Sequence, residues 1–361
     1  MSRRGISQPL CVGITGLRQG AAHARALAAR DDCQVVALCD AAAEPLERVG
    51  DEHGVASRMR FDDYQRMLAE ANLDAVVVAT PVDTHESMAV EALQRGIHVL
   101  LEKPMASDLA SAQRIKQTAD ASEAVLQIGF EFRSSPLIRK ANQLIAAGEL
   151  GEVAVVWTRM FRGPAVTAAN GWRGRCGLFF DCMIHELDGL MHFAGADFER
   201  VAAFGAPQGM KTPKPSDRPA ETVTACVEFE NAVRGSIAFS ELSQTYENTQ
   251  FGIVGDKGRI DGSMWEPEGA GSLRLYTEGG LYRTTIEING SQTTRGHLGF
   301  VEQYDFFLAT VRQGEPNVSD AANGLRVQRF LAAFERAMRE DRTIQHNEFR
   351  NPQNTSTGAV V

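Results

Sequence analysis

The sequence predicts an α/β protein in two parts. Residues 1–129 read as a doubly wound parallel sheet, residues 130–345 as a second domain on a mainly antiparallel sheet, and 346–361 as a flexible tail. Three observations carry this reading. At 361 residues the chain is longer than one hydrophobic core usually serves. Up to Gly129, short apolar strands alternate with helical stretches, the grammar of parallel βαβ units. From Gly151 onward, apolar and polar residues alternate with period two, the mark of an antiparallel sheet with one or both faces covered.

Composition narrows the class of protein. The chain is 43% hydrophobic and 23% charged, ordinary for a globular protein. A net charge of -9 argues against a nucleic-acid partner. No apolar run approaches the roughly 18 residues of a membrane span, and the first residues lack the apolar core of a signal peptide. The six cysteines (Cys11, Cys33, Cys39, Cys176, Cys182, Cys226) show no C-x-x-C spacing. They read as reduced thiols, which makes the expected location cytoplasmic, with no membrane partner.

Taken in order, Leu10–Thr15 is an apolar strand ending at Gly16. The turn Leu17-Arg18-Gln19-Gly20 and the alanine-rich helical stretch Ala21–Arg30 follow. Strand, glycine turn and helix form the setting in which main-chain N–H groups can hold a pyrophosphate. The fingerprint G-x-G-x-x-G is absent, and Gly13-x-x-Gly16-x-x-x-Gly20 stands in its place. The next strand, Gln34–Cys39, ends at Asp40, twenty residues past Gly20. An acid there can bind ribose hydroxyls, cap the helix that starts near Ala42, or do both. Ala41-Ala42-Ala43 bring no cation for a 2′-phosphate, which favours NAD over NADP, although Arg18 in the turn could reach a phosphate.

The alternation continues. Ser57–Phe61 is a short extended piece, and Asp62 caps a helix running to Ala69. Asp74–Ala79 is apolar throughout, as expected of a strand covered on both faces. It ends at Thr80-Pro81, and His85 opens a helix that Gly96 stops. Ile97–Leu101 is a strand, Ser107–Ala121 a helix, and Ala124–Ile128 closes the sheet. A further helix, Pro136–Ala147, is stopped by Gly148.

Beyond it come the longer strands Val153–Phe161, Thr222–Glu230, Ala232–Ser240, Thr249–Val254, Leu273–Thr277 and Tyr282–Ile288. Val223, Ala225, Val227 and Phe229 point one way, and Thr224, Cys226 and Glu228 the other. Glu230-Asn231-Ala232 sits where a hairpin turn is needed. Helices Gly299–Arg312 and Ser319–Arg339 finish the fold, with Ser319 as the second helix's N-cap.

Two stretches carry chemistry. Val99-Leu100-Leu101-Glu102-Lys103-Pro104-Met105 drives an apolar strand into a charged pair. Burying a lysine there costs desolvation, so its charge must have a use, and strand ends are where ligands sit in open parallel sheets. The second stretch is Asp181-Cys182-Met183-Ile184-His185-Glu186-Leu187-Asp188, read as helical from about Asp181. Asp181 and His185 are then four apart on one face, with Asp188 and His192 further along it. Asp181 could cap the helix over a core histidine, the face could hold a metal, or the pair could serve as a general base. A cofactor domain in the same chain favours the base.

The run Asp74–Pro81 with Ala79-Thr80-Pro81 and His85, and then Gly96–Met105 with Glu102-Lys103-Pro104, resembles the Gfo/Idh/MocA family of sugar and inositol oxidoreductases. Asp181-x-x-x-His185-x-x-Asp188 resembles that family's second motif. The resemblance covers roughly Pro9 to Ile344. It implies a Rossmann domain, a C-terminal α/β domain with a large open antiparallel sheet, and homodimers or homotetramers packed through that sheet.

It also implies roles. Lys103 would orient the substrate hydroxyl and lower its pKa, His185 would take the proton, and Asp181 would position His185 or bind substrate. NAD or NADP would be held by Gly16, Gly20, Asp40, Thr80, Pro81, His85 and Glu102, with Leu17 and Arg18 in the turn and Lys103 at the junction with substrate. Trp172-Arg173 would stack on the nicotinamide or the substrate, or else pack at the surface. The departure from the family is the glycine loop, one residue shorter than usual, with Arg18 near an expected glycine.

The reaction implied is reversible hydride transfer between a secondary alcohol of a sugar, inositol or related polyol and nicotinamide. Two rivals stand beside it. One is a non-catalytic nucleotide sensor; the other is a glycosidase that uses tightly held NAD for transient oxidation.

Overall fold

The computed structural model describes residues 8–162, 182–206, 222–242, 248–264, 271–278, 280–286 and 299–349. The chain divides into two compact units: Met1–Phe130 with Val301–Leu325, and Glu131–Phe300 with Arg326–Val361. The first break falls beside Gly129. The return of Val301–Leu325 to the first unit is a feature that a continuous 130–345 domain does not contain.

In the first unit, β1 (Leu10–Thr15), β2 (Cys33–Cys39), β3 (Arg60–Phe61), β4 (Ala75–Val78), β5 (His98–Leu101) and β6 (Leu126–Ile128) form one parallel sheet. Their order is β3-β2-β1-β4-β5-β6. Helices α1 (Leu17–Ala28), α2 (Ala43–Glu52), α3 (Tyr64–Glu70), α4 (His85–Gln94) and α5 (Leu109–Asp120) alternate with the strands. Residues 75–78 and 99–101 are shut from water, which is why both strands read as unbroken apolar runs. The order reverses between β1 and β4, so the crevice beyond their C-terminal ends is where such a sheet binds ligands.

Three local expectations change. Ser57–Met59 is a 3-10 turn, so only Arg60–Phe61 of the expected extended piece is strand. Helix α1 starts at Leu17, directly after the left-handed Gly16, and so takes in the expected turn through Gly20. The cap of α3 is Asp63, whose carboxylate accepts from the Arg66 N–H at 2.8 Å; Asp62 lies one residue too early to do so.

The second unit contains α6 (Pro136–Ala146), α7 (Ile184–Ala194) and a nine-stranded sheet. Its strands are β7 (Val153–Phe161), β8 (Phe198–Ala206), β9 (Thr222–Phe229), β10 (Arg234–Ser240), β11 (Asn248–Gly255), β12 (Gly258–Ser263), β13 (Gly271–Thr277), β14 (Gly280–Ile286) and β15 (Ile344–Gln345). The order is β14-β13-β12-β11-β7-β10-β9-β8-β15, antiparallel except where β7 meets β10.

One face is core: Val156, Met160, Val223, Val227, Phe229, Ile237, Phe239 and Ile253 are all buried. The other carries Val155, Phe161, Phe204 and Cys226. On that outer face Trp157 lies across Gly252, where a Cβ would fall 2.0 Å from the indole nitrogen. Glu230-Asn231-Ala232 does turn β9 into β10, with Ala232 at φ 68°. Strands β8 and β12 were not expected. In β8 the pairing slips between Phe198 and Arg200, which breaks the period of two. In β12 the glycines of Gly-Arg-Ile-Asp-Gly-Ser imitate a turn; Gly262 is there because the Phe251 ring fills its Cβ space.

The chain then returns to the first unit with α8 (Gln303–Gln313) and the first turn of α9 (Ala321–Glu340). Between the helices the chain covers the open edge of β6. Ile128 N–H donates to the Ser319 carbonyl at 2.8 Å, Ser319 Oγ donates to the Ile128 carbonyl at 2.6 Å, and Asn317 Nδ2 donates to the Leu126 carbonyl at 2.8 Å. The hydroxyl of Ser319 is therefore spent on β6. The cap of α9 is Asp320, which accepts from Asn323 N–H at 2.8 Å. The expected tail begins as one 3-10 turn, His346–Phe349, with Phe349 buried near Phe198; residues 350–361 lie outside the described residues.

Candidate active site

The switch point of the first unit is built to let backbone come close. Gly16 has φ +84°, and a Cβ there would fall 2.5 Å from the Ala79 carbonyl oxygen. Gly20 is inside α1, where a Cβ would press to 2.8 Å from Ile14 and lift the helix off the strand. Leu17 buries its side chain, while Arg18 is exposed at the same helix start. Asp40 does not cap α2, whose N-cap Ala42 makes no side-chain cap bond; its carboxylate instead bridges the start of α1 and the loop after β2. Its Oδ2 accepts from Leu17 N–H at 2.7 Å and its Oδ1 from Ala42 N–H at 2.9 Å, so the acid stands at the mouth of α1. A tight glycine turn, a seated helix and an acid at the end of β2 fit a dinucleotide.

Thr80 and Pro81 leave the end of β4. Thr80 Oγ1 accepts from Thr84 Oγ1 at 2.7 Å, and the Pro81 carbonyl accepts from the same hydroxyl at 2.8 Å. His85 is turned inward. Its Nδ1 lies 2.8 Å from the Pro104 carbonyl oxygen and its Nε2 3.0 Å from that of Thr80, so the ring sits between the two loops and, when neutral, donates to one of the two carbonyls. Burial holds its pKa below the usual histidine value, against the pull of those carbonyls and of Glu102.

Lys103 follows Glu102 at the end of β5, half-buried, and its N–H donates to Glu102 Oε2 at 3.1 Å. The other oxygen of Glu102 lies 3.0 Å from Nε2 of His23, whose Nδ1 lies 2.6 Å from the Tyr304 hydroxyl. His23 and Tyr304 were not singled out by the sequence reading. A histidine on the inward face of an alanine-rich helix was the available signal; Tyr304, 281 residues away, gave none.

In the second unit, α7 runs from Ile184 and presents His185, which is 7% exposed and stacked on Phe132 with ring centroids 4.7 Å apart. Asp188 does not serve His185. It accepts from Arg133 Nε at 2.8 Å and Nη2 at 2.6 Å, a buried fork-to-fork pair. His192 lies 2.9 Å from Asn142 Nδ2, and burial and then Arg133 push its pKa down. Thr249 Oγ1 donates to Glu186 Oε1 at 3.3 Å. A small cleft is lined by His185, Phe132, Arg133, Phe193, Phe251 and Met264 among others. Asp181, Trp172 and Arg173 lie outside the described residues. Among the described residues no group of three His, Cys, Asp or Glu side chains is arranged to hold a metal ion, and no helix is long and apolar enough to cross a membrane.

The model of an oxidoreductase family with an NAD-binding Rossmann fold matches residues 10–130, and that of the family's C-terminal alpha/beta domain matches residues 142–345. The chain belongs to the Gfo/Idh/MocA oxidoreductase family. Its first unit is accordingly the NAD-binding Rossmann domain of a Gfo/Idh/MocA protein. Among relatives, the chain is 24% identical to a myo-inositol 2-dehydrogenase of Thermotoga maritima, over 93% of this chain and 98% of that one. It is 27% identical to a D-glucoside 3-dehydrogenase of Escherichia coli, over 91% and 95% of the two chains. An oxidoreductase from Agrobacterium radiobacter, solved in complex with NAD+, L-tartaric acid and magnesium, shares the Gfo/Idh/MocA fold at a TM-score of 0.81. It is 18% identical, over 93% of this chain and 98% of the other.

Proposed function

We propose that the protein is an NAD-dependent dehydrogenase acting on a secondary hydroxyl of an inositol, sugar or glycoside. The observation that carries the reading is Lys103, a half-buried lysine presented at the end of β5 in an NAD-binding domain. NAD, when bound, supplies the hydride acceptor. Lys103 donates to the substrate oxygen, orienting it and favouring its anionic form. His185 takes the hydroxyl proton, and Asp181 has the role the family resemblance implies, positioning His185 or binding substrate. Asp40 favours NAD over NADP, because a carboxylate there accepts from ribose hydroxyls and repels a 2′-phosphate.

Support for polyols as substrates comes from the names of the relatives, inositol and glucoside dehydrogenases. The outer face of the nine-stranded sheet, with Phe204 67% exposed, supports a homodimer or homotetramer packed through it. Free thiols support a reducing, cytoplasmic location: burial pushes those of Cys33 and Cys39 up to about 11, which makes them inert core groups. The deciding experiment is a panel of myo-inositol, scyllo-inositol and glucosides, offered with NAD and with NADP while reduced nicotinamide is followed. Net NADH formation on a member of the panel is expected. Glycoside cleavage without net reduction, or NAD binding without turnover on any member, would replace this reading.

A further inference from the structure

We propose that His23 and Tyr304 are positioning residues for Lys103, acting through Glu102, an inference that rests on the role given to Lys103 above. His23 is wholly buried on α1, and Tyr304, 1% exposed, comes from the returning segment that carries α8. The imidazole bridges them to the lysine loop: Tyr304 hydroxyl to Nδ1 at 2.6 Å, and Nε2 to Glu102 Oε1 at 3.0 Å. Glu102 Oε2 then accepts the main-chain N–H of Lys103 at 3.1 Å.

The proton arrangement follows from what each group can do. An ionised carboxylate only accepts, so the hydrogen between ring and Glu102 is carried by Nε2. This holds for a neutral ring, with Tyr304 donating to Nδ1, and for a charged ring, with the hydroxyl accepting from it. Burial and the nearby Glu102 push Tyr304 well above the usual tyrosine range, so its hydroxyl stays protonated in either case. One line of hydrogen bonds runs from α8 through α1 to the backbone of Lys103.

The consequence is registration. Helix α1 begins at the Gly16–Leu17 turn, where NAD would be held, and Glu102 ends the strand that presents the lysine. The His23–Glu102 bond sets the distance between these two pieces of the same site. Such bonds are strong and directional in a dry interior, and a member left unpaired there is costly. Displacing a reacting group by about 1 Å can cost two orders of magnitude in rate.

Two measurements test this. In the full chain labelled with 15N, the His23 ring is expected to carry its proton on Nε2; a ring protonated on Nδ1 alone overturns the proposal. With NAD and myo-inositol, His23→Leu is expected to lower kcat by about tenfold or more. Its NAD dissociation constant, measured by calorimetry, should stay within about threefold of wild type. His23→Gln, whose amide can donate to Glu102, should recover most of the loss. An unchanged kcat, a loss of NAD affinity in step with kcat, or a glutamine no better than leucine each overturns it. Should His23→Leu fail to fold, Tyr304→Phe carries the kinetic arm, with kcat lowered about threefold at unchanged NAD affinity; an unchanged kcat overturns it. A wild-type chain that binds NAD but does not oxidise myo-inositol counts against the proposed substrate, and the ring spectrum still judges the relay.

Discussion

Asp188 is fully closed to solvent, and both of its carboxylate oxygens accept from the guanidinium of Arg133, which is itself 9% exposed at the side chain. The pair joins α7 to the turn before α6 and stands one helical turn from His185. Removing Asp188 takes from the buried Arg133 guanidinium the carboxylate that both Nε and Nη2 donate to. Asp188→Ala is therefore expected to lower unfolding free energy by about 3–5 kcal/mol, measured by urea titration. Arg133→Met with Asp188→Leu together should recover much of that loss. A single-variant cost under about 1 kcal/mol would place the pair among exposed ones.

The roles of the two proposed catalytic groups separate kinetically. Lys103→Ala and His185→Ala are each expected to reduce kcat by about a hundredfold or more on the substrate found in the panel. NAD affinity by calorimetry should be retained, because neither change touches the Gly16 turn. Full activity in either variant would remove that residue from the reaction.

The two buried histidines make stability depend on pH, with a definite sign. His85 and His192 both have folded-state pKa values lowered by burial, below the ordinary value of about 6.5 that they regain on unfolding. As pH falls through that region the unfolded chain binds more protons than the folded one, so stability drops. It is fully present above about pH 6.5 and is lost towards the lower folded values, with a slope of at most about 1.4 kcal/mol per pH unit for each ring. Urea midpoints should be flat above this region and decline below it, less steeply in His85→Gln. A curve flat down to about pH 5 would contradict the assignment.

The outer sheet face predicts an assembly. Phe204 is 67% exposed on β8, and Val155 and Phe161 are exposed on β7. Light scattering should give the mass of a dimer or tetramer for the wild type, and Phe204→Asp should shift it towards the monomer. A monomeric wild type at micromolar concentration would leave those apolar side chains needing another partner.

Much of this was legible in the chain because the governing contacts are local. Strands β1, β2, β4, β5 and β6 announce themselves by apolar runs between helices, and the face of β9 is set by Val223, Ala225, Val227 and Phe229. What the sequence hid depends on distance or on a broken period. The slip at Phe198–Arg200 erased the alternation of β8. Asp188 lies further along the helix face that carries His185, and its partner Arg133 is 55 residues away. The family resemblance implies a cofactor contact for Glu102; its pairing with His23 shows only once α1 is laid beside β5. Ser319 has the right chemistry for a cap, but the edge of β6 claimed its hydroxyl first.

The sealing of that edge has a consequence for how the chain is made. The residues that finish the first unit, Val301–Leu325, leave the ribosome after all of Glu131–Phe300. Until then β6 presents open main-chain groups, and His23 waits for Tyr304. The N-terminal half cannot mature ahead of the C-terminal half, as vectorial synthesis would otherwise allow. Nascent chains stopped short of 300 should stay sensitive to protease across β6, and a nucleotide-binding fragment cut at Phe130 would carry an unfinished sheet.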